Sequence, residues 1–398
     1  MDYELKLDKS PRSPRSQRDR LTPIKKSNKI NDIKIEQSLI PPIVLFPKKD
    51  KVAFFDQSLI KNSIHSPFLA SPLIKSQTRR RVPIHPTNSI PINDPLGDYN
   101  YCPIDWSVKD MIGLALDTKT VLVNPRTFTK TKLRINSADA VSLKFNSTGN
   151  ILALGSLLGP VRLFDVETEN LIRTFPNVES VAYSIDASVD NILVSAHEIG
   201  FICLSDFRED NSSNNNNNNS IQKCVGNQCL RAVFSPDGIR VAVSHQNTLV
   251  SIFDIRNFEQ PISTNKDHTS VIHPISWSPK NPNLIVTGGG MTDRTIRIWN
   301  TQSGKVFKQV DAASQICNLF WSKNNNEIIS TQGFTANNIF FWNDSDLKNT
   351  GQIKGHKNRI LYAAISPDHN TLATLTESDP LQFWDLRANI QSDSNTLR

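Results

Sequence analysis

Four side chains between positions 268 and 299 could together take part in proton transfer or hydrogen bonding: His268, Thr287, Asp293 and Trp299. A histidine between a carboxylate and a hydroxyl could relay a proton in a catalytic site. The same groups could instead form a chain of hydrogen bonds that satisfies polar atoms buried between packed strands. The chain has no GxSxG, P-loop or HExxH motif, and its histidines and carboxylates do not gather around a nucleophile. We therefore expect a structural network, with no catalytic residue, no metal and no cofactor, and we do not expect an enzyme.

The residues around this group predict a unit of short strands. Val271, Ile275 and Trp277 alternate on a first strand, and residues 284–287 form a second. A glycine-rich turn at 288–293 leads into residues 295–299, which alternate with period two. Such a unit exposes apolar faces and needs neighbouring units to cover them.

Similar units recur along the chain. The first-strand residue equivalent to Trp277 recurs at intervals of 89, 43, 44 and 44 residues, at Phe145, Phe234, Trp277, Trp321 and Ile365. The interval of 89 spans two periods, with Tyr183 between them. The end of the third strand recurs in phase, at Phe164, Leu204, Phe253, Trp299, Trp342 and Trp384. A period of 40 to 45 residues with four short strands is typical of WD40-type β-propellers.

We therefore expect an all-β fold, a seven-bladed WD40-type β-propeller preceded by a disordered basic N-terminal tail. Trp106 and residues 112–123 supply one unit before the first full repeat. The blades are predicted at about 99–136, 137–177, 178–224, 225–266, 267–311, 312–354 and 355–390. The recurring aromatic residues should form the core, and the polar run Asn214–Asn219 should be a solvated loop in the third blade.

Charge and proline divide the chain. Residues 1–95 hold 18 Lys and Arg against 9 Asp and Glu, whereas the remainder holds 27 against 29. The same 95 residues contain 12 of the 23 prolines and no sustained periodicity, a composition that cannot bury enough apolar surface to fold. We predict a disordered regulatory tail at 1–95, the propeller at 96–390 and a flexible C-terminal tail at 391–398.

The composition also limits location and partners. The five cysteines form no CxxC pair, so neither a zinc site nor a disulfide framework is indicated. No apolar run is long enough for a membrane span, and the N-terminus lacks a signal-peptide core. We expect a protein of the nucleus and cytoplasm with no membrane attachment. Few aromatic residues interleave with the basic ones of the tail, which disfavours nucleic-acid binding.

Short motifs stand out in the tail. Hydroxyl-proline dipeptides in basic surroundings are candidate phosphorylation sites for proline-directed kinases, at Ser10, Ser13, Thr22, Ser66 and Ser71. A charge pair stands beside an apolar residue and a proline in Asp19-Arg20-Leu21-Thr22-Pro23.

The last three units resemble the Fizzy and Fizzy-related family more closely than a generic WD repeat. The residues that carry this resemblance are HPISWSPKNPNLIVTGGGMTDRTIRIWNTQSGK, SQICNLFWSKNNNEIISTQGF and KGHKNRILYAAISPD. Members of that family are substrate-recruiting activators of the anaphase-promoting complex, a ubiquitin ligase. The resemblance runs from about Asp98 to Trp384, and FPKKDKVAFFDQS is closer to the Fizzy-related branch.

The resemblance implies two ligase-docking segments. Residues Asp19, Arg20, Leu21, Thr22 and Pro23 resemble the family's C-box, Asp-Arg-aromatic-Ile-Pro, with Leu21 and Thr22 as departures. Leu397 and Arg398 resemble the Ile-Arg end with which family members engage a TPR subunit. Guanidinium groups flanked by apolar residues suit grooves of helical-repeat subunits.

The resemblance also implies two degron sites on the propeller. The positions that match the family's Lys-Glu-Asn site are Asp105, Gln246, Thr248, Ala336 and Arg359. The family has Asn at the second and third of these positions and Gln at the fourth, so amide contacts are altered. Asp98 and Asp379 match the acidic pair that receives the arginine of a destruction box between the first and last blades.

Two hypotheses follow. In the first, the chain is a co-activator that holds degron-bearing substrates on the propeller while its tails dock on the anaphase-promoting complex. In the alternative, it is a diverged WD-repeat scaffold without ligase activation, whose basic tail binds acidic partners or nucleic acid. Loss of the TPR-containing ligase both in Arg20→Ala and on removal of Leu397-Arg398 would favour the first, and unchanged recovery would favour the second.

Overall fold

The computed structural model describes residues 80–135, 139–175, 179–207 and 221–387. These residues form seven four-stranded antiparallel sheets, and each sheet is one blade of a propeller. The seven-bladed architecture predicted from the repeat period is confirmed. The predicted loop at 214–219 and the tail before residue 80 lie outside the described residues.

The strands of the first four blades follow the chain in order. Blade 1 contains β2 (Ile104–Trp106), β3 (Ile112–Leu116), β4 (Lys119–Val123) and β5 (Lys130–Lys132). Blade 2 contains β6 (Ala140–Phe145), β7 (Ile151–Ser156), β8 (Val161–Asp165) and β9 (Leu171–Phe175). Blade 3 contains β10 (Ala182–Ala187), β11 (Ile192–His197), β12 (Phe201–Asp206) and β13 (Ile221–Cys224). Blade 4 contains β14 (Cys229–Phe234), β15 (Arg240–His245), β16 (Val250–Asp254) and β17 (Ser263–Asn265).

The last three blades include the strand that closes the ring. Blade 5 contains β18 (Ile272–Trp277), β19 (Leu284–Gly289), β20 (Thr295–Asn300) and β21 (Val306–Asp311). Blade 6 contains β22 (Ile316–Trp321), β23 (Glu327–Gln332), β24 (Asn338–Asn343) and β25 (Asn349–Lys354). Blade 7 contains β26 (Ile360–Ile365), β27 (Thr371–Thr376) and β28 (Leu381–Asp385), and β1 (Asn88–Ile90) is its outer strand.

Strand β1 corrects the predicted boundary of the tail. Asn88 pairs with Phe383 and Ile90 with Leu381, so the propeller begins before residue 96. Blade 7 would otherwise leave β28 as an unpaired edge, and pairing with β1 removes that edge. A three-residue strand is too short to show period-two alternation, so no sequence pattern predicts β1.

The apolar core lies between the blades. Seven clusters of buried residues each join two neighbouring blades, and the cluster at the seam of blades 7 and 1 includes Trp106 and Phe383. Among the recurring residues predicted as core, all are buried except Ile365, which is partly exposed. The predicted core is thus confirmed at nearly every position.

The alternating strand directions give the ring two faces. The upper face is defined here by the starts of the innermost strands and the hairpins between second and third strands. The lower face carries the turns between first and second strands and between third and fourth strands. Both definitions follow from the up-and-down order of the strands in each sheet.

Candidate functional site

Blade 5 contains the hydrogen-bond network expected from its sequence. His268 Nδ1 bonds to Asp293 Oδ2, His268 Nε2 lies 2.8 Å from Thr287 Oγ1, and Trp299 Nε1 donates to the same hydroxyl at 3.2 Å. All four side chains are buried. Although burial opposes its charge, hydrogen bonds from His268 and Thr295 lower the pKa of Asp293 to about 2. The network is a support between strands, as predicted.

The end of the second strand of blade 5 has no room for a side chain at two glycines. A Cβ at Gly288 would come within 2.6 Å of Ile316, and one at Gly289 would come within 2.6 Å of the Asp293 side chain. These two glycines belong to β19, whereas the sequence placed them in the turn. The lack of a side chain at Gly289 leaves room for the Asp293 side chain that bonds to His268.

Blade 7 repeats this network and includes Asp379, a predicted destruction-box residue. His356 Nε2 lies 2.9 Å from Thr374 Oγ1, and Trp384 Nε1 donates to the same hydroxyl at 2.9 Å. Asp379 Oδ2 lies 3.6 Å from His356 Nδ1, and the carboxylate is 15% exposed. Burial lowers the pKa of His356, so the imidazole is neutral at pH 7 and leaves the charge of Asp379 uncompensated.

Asp98, the second predicted destruction-box residue, lies against blade 7. Its carbonyl oxygen accepts a hydrogen bond from the Tyr362 hydroxyl, and its carboxylate accepts one from the backbone N–H of Asn100 at 2.9 Å. The residue is exposed in the link that leads to β2. Asp98 and Asp379 therefore both lie on the upper face next to blade 7.

Tyr99, which follows Asp98, fills the upper end of the central channel. Its hydroxyl donates to the carbonyl of Ile316 at 2.7 Å, and its ring centroid lies 4.0 Å from that of His273. Burial raises the pKa of the Tyr99 hydroxyl, which stays neutral. The tyrosine therefore joins the first link of the chain to blades 5 and 6.

Arg359 covers Tyr99 on the upper face. Its guanidinium carbon lies 4.0 Å from the centroid of the Tyr99 ring and 4.9 Å from that of Phe334, which is 56% exposed. The Nε and one terminal nitrogen of Arg359 have no hydrogen-bond partner among the described residues. The guanidinium thus lies within 5 Å of two ring centroids with two of its nitrogen atoms unpaired in the described part of the chain, and a carboxylate is the kind of group that pairs with a guanidinium.

Two neutral groups on the upper face of blade 6 are also incompletely bonded. Gln315 Oε1 and Asn337 Oδ1 are buried without a partner within the described part of the chain. Buried polar atoms are nearly always bonded in proteins, so a water or a ligand could complete the bonding at each of these atoms. These atoms accept hydrogen bonds, and Arg359 donates them.

Three further predicted residues share the upper face. Gln246 and Thr248 lie in the hairpin between β15 and β16, and Ala336 lies in the hairpin between β23 and β24. Gln246 is exposed, and its N–H donates to the carbonyl of Gln228 at 3.0 Å. Thr248 has a left-handed backbone with φ of 67°. Ala336 offers no polar side chain to a ligand.

Asp105 does not join this group. It accepts hydrogen bonds from Lys144 Nζ at 3.0 Å and from the N–H of Phe145 at 2.9 Å. Although burial opposes it, the carboxylates of Asp105 and Asp186 raise the pKa of Lys144. Asp105 lines a cavity of about 390 Å³ in the channel, together with residues of a lower-face turn, Ser366, Pro367 and His369. The structure thus separates Asp105 from the predicted set, because a lysine on the next blade binds it.

Arg80 fixes the start of the described chain to the lower face. Its guanidinium carbon lies 3.9 Å from the Phe341 ring centroid, and the group pairs with Glu327 and donates to the carbonyl of Leu386. Only 3% of the side chain is exposed, and burial lowers the pKa of Arg80 to about 10. The N- and C-terminal ends of the described propeller therefore meet at one place.

Several predicted functional residues lie outside the described residues. These are the ligase-docking residues 19–23, 397 and 398 and the phosphorylation candidates. In the parts of the chain that the structure describes, no group of three His, Cys, Asp or Glu could hold a metal ion. The five cysteines are free, and no helix among the described residues is long and apolar enough to cross a membrane.

Sequence reasoning missed three residues of the two faces. Tyr99 and Phe334 do not stand out because aromatic residues in a propeller are mostly core, and Arg80 falls among the basic residues of the predicted tail. A signal was present for Tyr99, which stands with Tyr101 just before a strand and after Gly97.

Comparison with known proteins agrees with this architecture. A model of the CDC20/Fizzy WD40 domain matches residues 94–384. The chain is 31% identical over 314 residues to the anaphase-promoting complex subunit cdc20 of Dictyostelium discoideum. This alignment covers 77% of this chain and 61% of that protein. It is 29% identical over 352 residues to the B-type cell cycle switch protein ccs52B of Medicago truncatula, covering 85% of this chain and 71% of that protein.

Among solved structures, a chain of the crystal structure of the Mitotic Checkpoint Complex has a TM-score of 0.71 at 26% identity. The match covers 83% of this chain and 99% of that chain. The chain spans about three fifths of the length of the Dictyostelium relative, since the alignment covers 61% of that protein.

Proposed function

Because the chain belongs to the CDC20/Fizzy family of WD40 proteins, we propose that it recruits degron-bearing proteins to the anaphase-promoting complex. In this role the chain does no bond chemistry. It holds a substrate on its upper face while its two tails dock on the ligase, and this raises the residence of the substrate near the catalytic subunits.

The environment of the Arg359 guanidinium is the main support for the proposal. Its guanidinium is held between Tyr99 and Phe334 and has two nitrogen atoms without partners among the described residues. A degron carboxylate can accept charge-assisted hydrogen bonds there, and the rings keep water from one side of the pair. Gln246 and Thr248 stand on the same face, but Asp105 and Ala336 supply no contact. The glutamate of a Lys-Glu-Asn degron should therefore contribute more to the binding free energy than its lysine or asparagine.

A destruction-box arginine is the second ligand of the proposal. Asp98 is exposed, and its carboxylate can accept further hydrogen bonds besides the one from the N–H of Asn100. Asp379 keeps an uncompensated charge because neutral His356 is its partner. A guanidinium that bridges the two carboxylates would satisfy both.

The lower face suits the docking of the two tails. Arg80 and Leu386 are hydrogen-bonded, so both tails begin at the same place, on the face opposite Arg359. Two weak attachments that start from one point raise avidity through effective concentration. Phosphate on Thr22 would place negative charge beside Arg20 and weaken docking. A nuclear and cytoplasmic location and control by proline-directed kinases belong to the proposal.

The test is co-purification of the ligase and of a substrate with the full chain and three variants. Arg20→Ala and removal of Leu397-Arg398 should lose the TPR-containing ligase and keep the substrate. Arg359→Ala should keep the ligase and lose the substrate. Unchanged recovery of the ligase in the first two variants would favour a scaffold without ligase activation, and unchanged substrate in the third would reject the upper-face site.

A further inference from the structure

Blade 1 carries an excess of positive charge that the rest of the propeller lacks. Residues 99–136 hold 6 Lys and Arg against 3 Asp and Glu, whereas residues 96–398 as a whole hold 27 against 29. Two of the three acids are already paired, Asp105 with Lys144 of blade 2 and Asp110 with Arg126. The unpaired positive charge is therefore concentrated on the outer strand β5 and the residues next to it.

The two lysines of β5 lie on one face of the sheet. Lys130 pairs with Val123 and Lys132 with Val121, and both valines belong to the cluster at the seam with blade 7. Directly paired residues place their side chains on the same face, so both lysines are on the side of blade 7. The Nζ of Lys130 agrees with this, since it donates to the carbonyl of Pro91, which follows β1, at 2.6 Å.

Arg134 extends this row of cations by one more alternate position. Lys130, Lys132 and Arg134 are all exposed, and alternate residues of a strand lie about 7 Å apart. In the part of the chain that the structure describes, none of the three side chains pairs with a carboxylate. Such a row matches a second strand that has acidic side chains at alternate positions.

The backbone of β5 also has a free edge. Blade 1 ends at this strand, and its carbonyl at Thr129 and its N–H at Leu133 bond inward, to the side of β4, each at 3.0 Å. Alternate residues of a strand direct their N–H and C=O groups to opposite edges. The backbone groups of Lys130 and Lys132 therefore point outward, where a further strand can bond to them.

A carboxylate already bonds to the next outward group of this edge. The N–H of Arg134 donates to Glu169 Oε2 at 2.8 Å, and Glu169 lies in the turn between β8 and β9 of blade 2. An acidic side chain thus satisfies a backbone donor at the end of the row of cations. Among the described residues, the outward N–H groups of Lys130 and Lys132 have no such partner.

Charge limits what can pair with this edge. Lysines on an edge strand oppose pairing with the same strand of a second copy, because like charges would face each other. Nucleic acid would need aromatic rings on which to stack its bases, and the nearby Phe128 packs instead against Phe383 with centroids 5.6 Å apart. An extended acidic peptide offers both carboxylates for the cations and backbone groups for the edge.

We propose that the outer edge of blade 1 binds a partner protein through an extended segment with acidic residues at alternate positions. The segment adds a fifth strand beside β5 and bonds to the outward N–H and C=O groups of Lys130 and Lys132. Its carboxylates face the side chains of Lys130, Lys132 and Arg134. The edge lies apart from Arg359 on the upper face, so the proposal does not depend on degron binding or on the ligase.

The test is titration calorimetry of the full chain with two blocked heptapeptides of equal composition, Glu-Thr-Glu-Thr-Glu-Thr-Glu and Glu-Glu-Glu-Glu-Thr-Thr-Thr. As a strand, the first places all its carboxylates on one face and the second divides them between two faces. We expect the alternating peptide to bind roughly tenfold more tightly. Its affinity should fall as the salt concentration rises.

Variants of one lysine separate charge from backbone pairing. Lys132→Gln should weaken binding of the alternating peptide roughly tenfold. Lys132→Pro should weaken it further, because it also removes an N–H that points away from β4 and that the propeller does not use. Lys354→Gln is the matched control, since Lys354 is an exposed lysine on the outer strand of blade 6, and it should leave the affinity unchanged.

Three results would overturn the proposal. The first is equal affinity for the two peptides, and the second is an equal loss in Lys132→Gln and Lys354→Gln, either of which would show general attraction to acidic chains. The third is tighter binding of a single-stranded oligonucleotide of the same charge, which would assign the basic strand to nucleic acid.

Discussion

The turns of the lower face and the centre of the upper face bond their polar groups in opposite ways. On the lower face, Ser366 Oγ donates to Asp368 and accepts the N–H of Thr371 at 2.9 Å, so the turn closes on itself. On the upper face, Arg359 and Gln315 keep buried polar atoms without a partner among the described residues. The polar groups of the lower turns therefore contribute to stability, whereas the unpaired groups of the upper centre fit the binding role that we propose for it.

The largest effect should come from the lower face. Arg80→Ala removes the stacking on Phe341 and leaves Glu327 without its buried cation, which should lower the free energy of unfolding by about 3–5 kcal/mol. Denaturation by urea measures this loss, and peptide affinity at the upper face of the folded variant should be unchanged. The exposed Arg81→Ala is the neighbouring control. An equal loss in both variants would show that Arg80 is not a specific anchor.

The next effect should be on binding rather than stability. Arg359→Ala should weaken binding of a peptide with an acidic degron residue roughly 30-fold to 100-fold, or about 2–3 kcal/mol, because a charge-assisted pair is lost. Titration calorimetry measures the affinity, and the free energy of unfolding should change little. Arg387→Ala removes an exposed arginine on the lower face and is the control. Equal peptide affinity of the unaltered chain, Arg359→Ala and Arg387→Ala would show that the upper-face arginine has no special role in binding.

The smallest effect should appear on lowering the pH. His245 ends β15 at the upper face, and burial lowers its pKa to about 4. The unfolded chain has a histidine pKa near 6.5, so the stability from neutral His245 is present above that pH and is lost as the pH falls toward 4. Between pH 7 and pH 5 the unaltered chain should lose about 2 kcal/mol more than His245→Gln.

Urea denaturation at the two pH values measures this difference, with His85→Gln as the control because His85 is exposed. Hydrogen exchange at pH 5 should show the β15–β16 hairpin opening before the lower turn at Ser235. Simultaneous opening would mean that the two faces share one stability.

Contacts within a blade could be predicted from the sequence better than contacts between blades. The network of His268, Thr287 and Asp293 was predictable because its members lie in one blade at fixed distances along the chain. The partner of Asp105 was not, because Lys144 belongs to the next blade and only the packing of blades brings them together. Residues that bond within a blade follow the repeat, whereas residues that bond between blades depend on the ring.

The same reasoning explains the remaining differences. Asp379 was interpreted as a ligand-binding carboxylate, and the sequence did not show that it also faces His356 across a shortened hairpin. Strand β1 and Arg80 lie in a proline-rich, basic region whose composition resembles the tail, so no local pattern separates them from it. The ring is closed by pairing between the first and last strands, and a repeat pattern does not predict which segment pairs with the last strand.

Strand β1 also determines when the protein can finish folding during synthesis. Asn88 leaves the ribosome well before its partner Phe383, which follows 295 residues later. At about 5–20 residues per second, the first strand waits roughly 15 to 60 s for the last. Blades 1 to 6 can form in that interval, but the ring is sealed only after Phe383 has been made. A chain that terminates early would therefore leave both seams of blade 7 open to chaperones and proteases.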